Sequence, residues 1–335
     1  MPALSPRRPP MPRRKKTVAA PEPAPKPVPA DRPSRGKASA RVVTPPFAPA
    51  CCAPDAFDLM AAQAIADDEG RRPLDSDDGL LAAANAVALH LRPGLDTADC
   101  ARSLVALADS TAEPFGGIAE ARARAAENPQ AVAAHLHRAL FDVAGFRGNA
   151  TDYYHVDNSC LPAVLESRRG LPITLALVYK LVASRVGLNA WGVGLPGHFV
   201  AGVEMGGREI VDCYDGGRIL DQRDAADRVA ACAGPEAGFD EDMLRPVTHR
   251  HWITRLIQNL LQTFTADGRH ADVAAMLELE ILLWPDQPHL CRDLGLVLAR
   301  LGQPRSASGW LKTYLDRQPE DPQRSDLEEL VAALD

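Results

Sequence analysis

Cysteine is scarce in this sequence, and its distribution fits neither a disulfide framework nor a metal site. The chain has seven cysteines, an odd number, and no Cys-x-x-Cys pair. It also lacks a run of about 18 uncharged apolar residues and the apolar segment of a secretory signal. These absences argue against a secreted or membrane-spanning protein, so we expect reduced thiols, a cytoplasmic location and no membrane span.

Sequence signals for cofactors are missing as well. The glycine-rich stretches 192–197 and 215–217 lack the lysine of a phosphate-binding loop, and neither connects a strand to a helix in the dinucleotide-binding pattern. His249 and His251 have no third metal ligand near them in the sequence. We therefore predict no cofactor and no metal ion.

The first 54 residues differ from the rest of the chain in proline content and in charge. They hold 15 of the 29 prolines, and their eleven Lys or Arg against two acidic residues give a net charge of +9, which leaves −16 for the remainder. Because this proline density opposes helices and sheet ladders, we expect residues 1–54 to form a disordered basic tail. A basic tail can bind nucleic acid through counterion release, and any nucleic-acid binding is expected only there. The alternative is a solubilising leader that folds back onto the acidic body.

Helical segments lie on both sides of the middle of the chain. Residues 55–145 are alanine-rich with helical spacing and candidate caps such as Asp96 and Asn128, and they predict a small helical bundle. Residues 244–335 repeat with the 34-residue period of a tetratricopeptide (TPR) helix pair. The matched positions are Leu260 and Leu294, Gly268 and Gly302, Leu277 and Leu311, and Trp284-Pro285 and Gln318-Pro319. Since two such units leave an apolar flank uncovered, we expect them to pack on the preceding domain and on a last helix.

Residues 146–243 predict a compact α+β unit. Pro172 suits the first turn of an apolar, buried helix that ends at Gly187. Three short apolar runs follow and predict strands, with Gly206-Gly207 as a hairpin turn between the last two. These runs are 191–195, 198–203 and 209–212.

His198 and Asp212 lie on the two arms of the predicted hairpin, so their side chains are expected to meet across it. A helix start, a histidine and an aspartate in that order are typical of a thiol-protease-like triad. The place that such a triad reserves for its cysteine, at the start of the helix, holds Pro172.

This middle segment resembles the transglutaminase core, whose pattern is G-x-C-x-x-x-A at a helix start, then G-[IL]-x-A, a strand histidine and a strand aspartate. Gly170, Ala176 and the segment 187–190 match that pattern in step, with His198 and Asp212 as its last two members. The sequences GLPITLALVY, GLPGHF and DCYDGG resemble a bacterial branch, the SirB type, in which TPR repeats follow the core. The resemblance implies an α+β protein with an N-terminal helical bundle, a transglutaminase/papain-like core with a small antiparallel sheet, and C-terminal TPR helix pairs.

The function that this resemblance implies is binding rather than catalysis. Proline offers no nucleophile, so the acyl-enzyme step is absent at Pro172, and His198 and Asp212 are interpreted as remnants of a triad. We expect a catalytically silent, regulatory pseudoenzyme that binds a protein or peptide partner through its core cleft and TPR surface. The residues predicted to line the cleft combine polar groups with apolar bodies: Asn149, Tyr153, Tyr154, Asn158 and Ser159.

Two alternatives stay open. The five cleft residues equally fit a hydrogen-bonded turn cluster that braces the helix starts. The chain could also be a thiol-dependent hydrolase or acyl transferase that uses Cys160, or Ser159, with His198 and Asp212. Cys160 can serve only if its loop folds over the start of the helix that begins at Pro172.

Overall fold

A computed structural model of this chain describes residues 48–67 and 70–335. The predicted disordered tail therefore lies outside the described residues, except for its last seven positions. Among the described residues, no helix has the length and the apolar character that a membrane crossing requires.

Five helices form the first part of the fold. Side-chain caps define where three of them begin, because each cap accepts a backbone N–H that the first helical turn leaves unpaired. Ser76 Oγ caps the second helix, whereas Asp96 and Asn128 cap the third and the fifth as predicted. The helices are α1 (Pro54–Ala64), α2 (Asp77–Leu91), α3 (Thr97–Ala112), α4 (Ile118–Glu127) and α5 (Pro129–His137), and a π-helical turn, Arg138–Val143, continues α5.

A buried helix packs against one face of the main sheet. A short strand β1 (Arg147–Gly148) pairs in parallel with β2 (Arg169–Gly170), and α6 (Leu161–Ser167) lies between them in sequence. Helix α7 (Pro172–Arg185) follows directly, with Pro172 in its first turn as predicted, and nearly all its side chains are buried. The predicted apolar, buried helix is therefore confirmed.

The main sheet is antiparallel and has four strands in the order of the chain. Three of them match the predicted apolar runs to within one residue, and the fourth was not predicted. They are β3 (Ala190–Leu195), β4 (His198–Glu204), β5 (Arg208–Asp212) and β6 (Arg218–Leu220). One face packs on α7 within the main core, and the other face is covered by α8 (Gln222–Ala233) and the connector after it.

Five more helices complete the fold, and they follow the predicted 34-residue repeat. Gly268 and Gly302 both adopt left-handed backbone conformations, with φ of +68° and +71°, where one helix ends and the next begins. The equivalent leucines of the two units, Leu260 and Leu294, are buried. The helices are α9 (His249–Ala266), α10 (His270–Leu283), α11 (Pro288–Arg300), α12 (Pro304–Arg317) and α13 (Arg324–Leu334).

The chain just before α1 is bonded to the TPR region. The Glu278 carboxylate on α10 accepts N–H groups from Ala50, Cys51 and Cys52 at 2.6, 3.2 and 2.7 Å. Residues 50–52 therefore bond to α10, and the tail boundary at residue 54 stays a prediction. The division of the rest into segments 55–145, 146–243 and 244–335 stays a prediction, since one apolar core runs through all three.

Candidate functional site

His198 and Asp212 meet beside the β4–β5 ladder. The register places Ala201 opposite Val211, so His198 and Asp212 are diagonal neighbours on one face of the sheet. Their Nε2 and Oδ2 atoms lie 3.0 Å apart, and the two residues are 6 % and 0 % exposed. The structure thus brings together the two residues that the sequence analysis interpreted as triad remnants.

The Asp212 carboxylate is surrounded by donors. Its Oδ2 lies 2.8 Å from Nη2 of Arg228 on α8, and its Oδ1 accepts the N–H groups of Tyr214 and Asp215 at 3.1 and 3.3 Å. Burial alone raises the pKa of Asp212, but the His198 hydrogen bond and the Arg228 charge outweigh it and hold this pKa below its usual range. Asp212 is therefore ionised at neutral pH and fixes the imidazole of His198.

The second ring nitrogen of His198 has no such partner. Its Nδ1 makes no hydrogen bond within the part of the chain that the structure describes, and the nearest aromatic neighbour is Tyr214, edge-on at 6.2 Å between ring centroids. If the neutral ring donates Nε2–H to Asp212, Nδ1 carries the free lone pair. The geometry therefore leaves one nitrogen of a fixed imidazole without a hydrogen bond among the described residues.

None of the sulfur or hydroxyl groups predicted as nucleophiles contacts this pair. Cys160 is fully buried against Ala88 and Ala163, and burial raises the pKa of its thiol. Ser159 is buried beside it, and the start of α7 presents Pro172. A Cys160 nucleophile would require the loop before α6 to leave its present packing, so this assignment stays a prediction without support from the geometry.

The loop that leads into α6 uses its amides to hold itself in place. Asn158 Nδ2 donates to the carbonyl oxygens of Asp152 and Tyr153 at 2.6 and 2.9 Å, and its Oδ1 accepts from Asn149 Nδ2 at 3.0 Å. Asn149 and Asn158 thus form a hydrogen-bonded cluster, and their role in binding stays a prediction. Tyr154 is 54 % exposed, and its role in binding stays a prediction.

Tyr153 extends the His198 site outward. Its ring packs against Tyr214 at 6.0 Å between centroids, and Tyr214 in turn contacts His198. Burial raises the pKa of Tyr153 to about 12, although 36 % of the residue is exposed. Its hydroxyl therefore stays protonated at neutral pH and can donate a hydrogen bond.

Three residues of this site were missed in the sequence, two of them on α8 and one on α9. Arg228 and Cys232 lie four residues apart on α8, and the Cβ of Cys232 would lie 2.9 Å from a Cβ added to Gly197. Arg255 of α9 donates Nη2–H to the carbonyl oxygens of Leu195 and His198 at 3.1 and 3.0 Å. The only sequence signal for these residues was the four-residue spacing of Arg228 and Cys232. That spacing did not show that they lie beside the His198–Asp212 pair.

Comparison with known families places the site in a recognised domain. Residues 110–258 match the transglutaminase-like superfamily, and residues 260–332 match the tetratricopeptide repeat. The matched regions contain the His198–Asp212 pair and helices α10–α13, respectively. The α+β class, the transglutaminase-like domain and the C-terminal TPR helices expected from the sequence are confirmed.

Curated proteins extend this similarity to bacterial chains. The chain is 35 % identical over 190 residues to a UPF0162 protein of Xylella fastidiosa, which covers 56 % of this chain and 68 % of that protein. It is 24 % identical over 198 residues to a UPF0162 protein of Vibrio cholerae, covering 59 % and 73 % of the two chains. The F-box only protein 21 of Mus musculus is 25 % identical over 167 residues, 46 % of this chain and 26 % of that protein. No solved structure matches the chain significantly.

Proposed function

This chain belongs to the UPF0162 protein family, and on that premise we propose that it is a catalytically silent binding protein. A protein or peptide partner binds beside His198, and the TPR helices add contact surface. Its role is regulatory and its location cytoplasmic. The regulatory part of the proposal is supported only by the resemblance of its motifs to the SirB-type branch.

One observation carries the proposal. The His198–Asp212 pair is retained with full hydrogen bonding to the carboxylate, while Pro172 stands at the helix start where the thiol of a working site would lie. Without a nucleophile, the pair cannot form an acyl-enzyme. It can still tie β4 to β5 and present the free Nδ1 of His198 to a ligand.

The proposal predicts that His198→Ala weakens partner binding and lowers stability without changing any turnover. Losing a hydrogen bond to a buried carboxylate costs about 1–3 kcal/mol, because Asp212 keeps its charge but loses one donor. Capture of partners from the native cell extract by the tagged full chain, followed by direct affinity measurement on the captured protein, tests the binding. Urea denaturation tests the stability. His289→Ala, an exposed histidine on α11, is the control for stability and should not change it.

Enzyme assays separate this proposal from the alternative. Amidase, protease and transglutaminase activities should stay at background in the wild type and in His198→Ala. Turnover that disappears with His198→Ala, with Cys160→Ala or with Ser159→Ala would instead establish a hydrolase or acyl transferase and overturn the silent site.

A further inference from the structure

Arg255 places a positive charge beside His198, and no carboxylate in the described part of the chain pairs with it. Helix α9 carries this residue beneath the β3–β4 turn, where its guanidinium lies 5.3 Å from the centroid of the Phe199 ring. Among the described residues, no Asp or Glu forms an ion pair with Arg255. Arg228, the other arginine of this site, is by contrast paired with both Asp212 and Asp215.

The hydrogen bonds of Arg255 leave most of its donors free. Only Nη2 is used, and it is shared between the carbonyl oxygens of Leu195 and His198, while Nε and Nη1 have no partner in the described part of the chain. These two bonds hold the guanidinium in a fixed orientation. A partly buried charge without a counterion is costly, and a planar guanidinium is best satisfied by the two oxygens of a carboxylate.

The surroundings of Arg255 favour an anion from outside the chain. Burial lowers the pKa of Arg255, and the one ionisable group that opposes this shift is Tyr153, whose own pKa is raised to about 12. The Arg255 guanidinium bonds the carbonyl oxygen of His198, and the Tyr153 ring reaches the His198 ring through Tyr214, so both side chains border His198.

We propose that Arg255 and Tyr153 bind a carboxylate group that the partner presents beside His198. The guanidinium supplies charge and paired N–H donors, and the Tyr153 hydroxyl supplies a third donor. The inference rests on the proposed function, since it names the chemistry of the ligand that the cleft receives. The carboxylate belongs either to the C-terminus of a peptide or to an Asp or Glu side chain.

Histidine NMR on the full chain tests this subsite directly. The imidazole Cε1 atoms are labelled with ¹³C, and the His198 signal is assigned by its loss in His198→Gln. Acetate should shift that signal saturably, whereas chloride at the same ionic strength should not. Two hexapeptides separate the two sources of the carboxylate. One is neutral with a free C-terminus, and the other is amidated at its C-terminus and contains one internal Glu. The amidated neutral peptide is the negative control.

Two variants connect the signal to the proposed residues. Tyr153→Phe keeps the ring and removes one donor, so it should weaken acetate binding by about tenfold. Arg255→Lys keeps the charge and loses the paired N–H donors of the guanidinium, and it should weaken acetate binding at least as much. Arg208→Gln is the control, because Arg208 is an exposed arginine stacked on Trp191 on the same sheet, and it should bind acetate as the wild type does.

Three results would overturn the subsite: no saturable shift with any carboxylate, an equal shift with chloride, or unchanged binding in both variants. Partner capture tests the proposed function separately from the subsite. If carboxylates fail while His198→Ala still abolishes partner capture, the subsite is wrong and the binding role stands. If acetate binds at Arg255 while partner capture is unaffected by His198→Ala, the subsite stands and the binding role of the pair is wrong.

Discussion

Two buried carboxylates in this protein lie in opposite environments. Asp212 is ionised because His198, Arg228 and two backbone N–H groups compensate its charge. Among the described residues, Glu280 on α10 has only Gln258 as a hydrogen-bond partner, at 3.3 Å, and Asp293 lies near it. Burial therefore raises the pKa of Glu280 to about 7, so that this side chain is about half protonated at neutral pH.

This environment predicts that Glu280→Gln stabilises the protein at alkaline pH. The unfolded carboxyl loses its proton near pH 4.5 and the folded one only near pH 7, so the stability linked to Glu280 is complete at low pH and declines as pH rises through 7. Glutamine carries no charge, so the variant does not lose this stability as the pH rises. Urea denaturation should give a gain of about 1–3 kcal/mol at pH 8 that shrinks at pH 5. Glu329→Gln, an exposed residue on α13, should show no such trend, and an equal gain in both variants would contradict the assignment.

Helix α9, the first helix of the TPR region, packs against the main sheet. Trp252 on α9 donates its indole N–H to the carbonyl oxygen of Ile173 at 3.3 Å and packs against Phe199 at 4.8 Å between centroids. The ring also covers Gly192 on β3, where a Cβ would lie 2.5 Å from a Trp252 ring carbon and 2.7 Å from Phe199. Glycine at this position therefore sets how closely α9 approaches the sheet.

This close approach predicts a large cost for Gly192→Ala. Trp252 and Phe199 are both buried and cannot move away, so the added methyl group must separate α9 from β3. The free energy of unfolding should fall by about 1–3 kcal/mol, measured in urea. Gly207→Ala is the matched control, since its Cβ would meet only a Glu209 side-chain oxygen at 3.6 Å, and it should change stability by less than about 0.5 kcal/mol. Equal effects of the two substitutions would show that the α9 contact does not limit the space at Gly192.

At the scale of the whole molecule, the TPR region packs beneath the main sheet and also binds the first residues of the described chain. Its first helix fills the space beneath the sheet, and Glu278 on α10 binds the backbone of Ala50–Cys52 before α1. One apolar core includes residues from Cys52 to Val331. The apolar flank expected of two isolated TPR units is therefore covered by the rest of the chain.

This continuity predicts that a chain ending at Leu244 does not fold stably. The truncation removes Trp252 and uncovers the buried faces of β3 and α7, so the product should aggregate or bind the dye ANS with no cooperative melting transition. Removal of residues 1–47 is the comparison, and it should leave the melting temperature unchanged. A monomeric truncated chain with the melting temperature of the wild type would show instead that the TPR region is an independent appendage.

Local pattern alone predicted the buried helix, the TPR helix pairs, three strands and one pair of residues in the site. Pro172 and Gly187 marked the buried helix, the 34-residue spacing of Gly268 and Gly302 marked the TPR units, and the order of the apolar runs marked three strands. The position of His198 and Asp212 on the two arms of a hairpin also predicted that their side chains meet. These inferences succeed because period and turn chemistry act over a few residues.

The sequence by itself thus determined most of the helices, three strands of the main sheet, the meeting of His198 and Asp212, and the absence of a thiol at Pro172. The tertiary structure alone decided what surrounds the pair: Arg228 on its carboxylate, Arg255 beneath the turn, and the burial of Cys160 away from both. It also decided that Glu278 binds the chain before α1 across more than 200 residues. Periodicity tells which face of an element a residue occupies, but the partner that balances its charge depends on how distant elements pack. That packing is a sum over the whole core, which no local pattern contains.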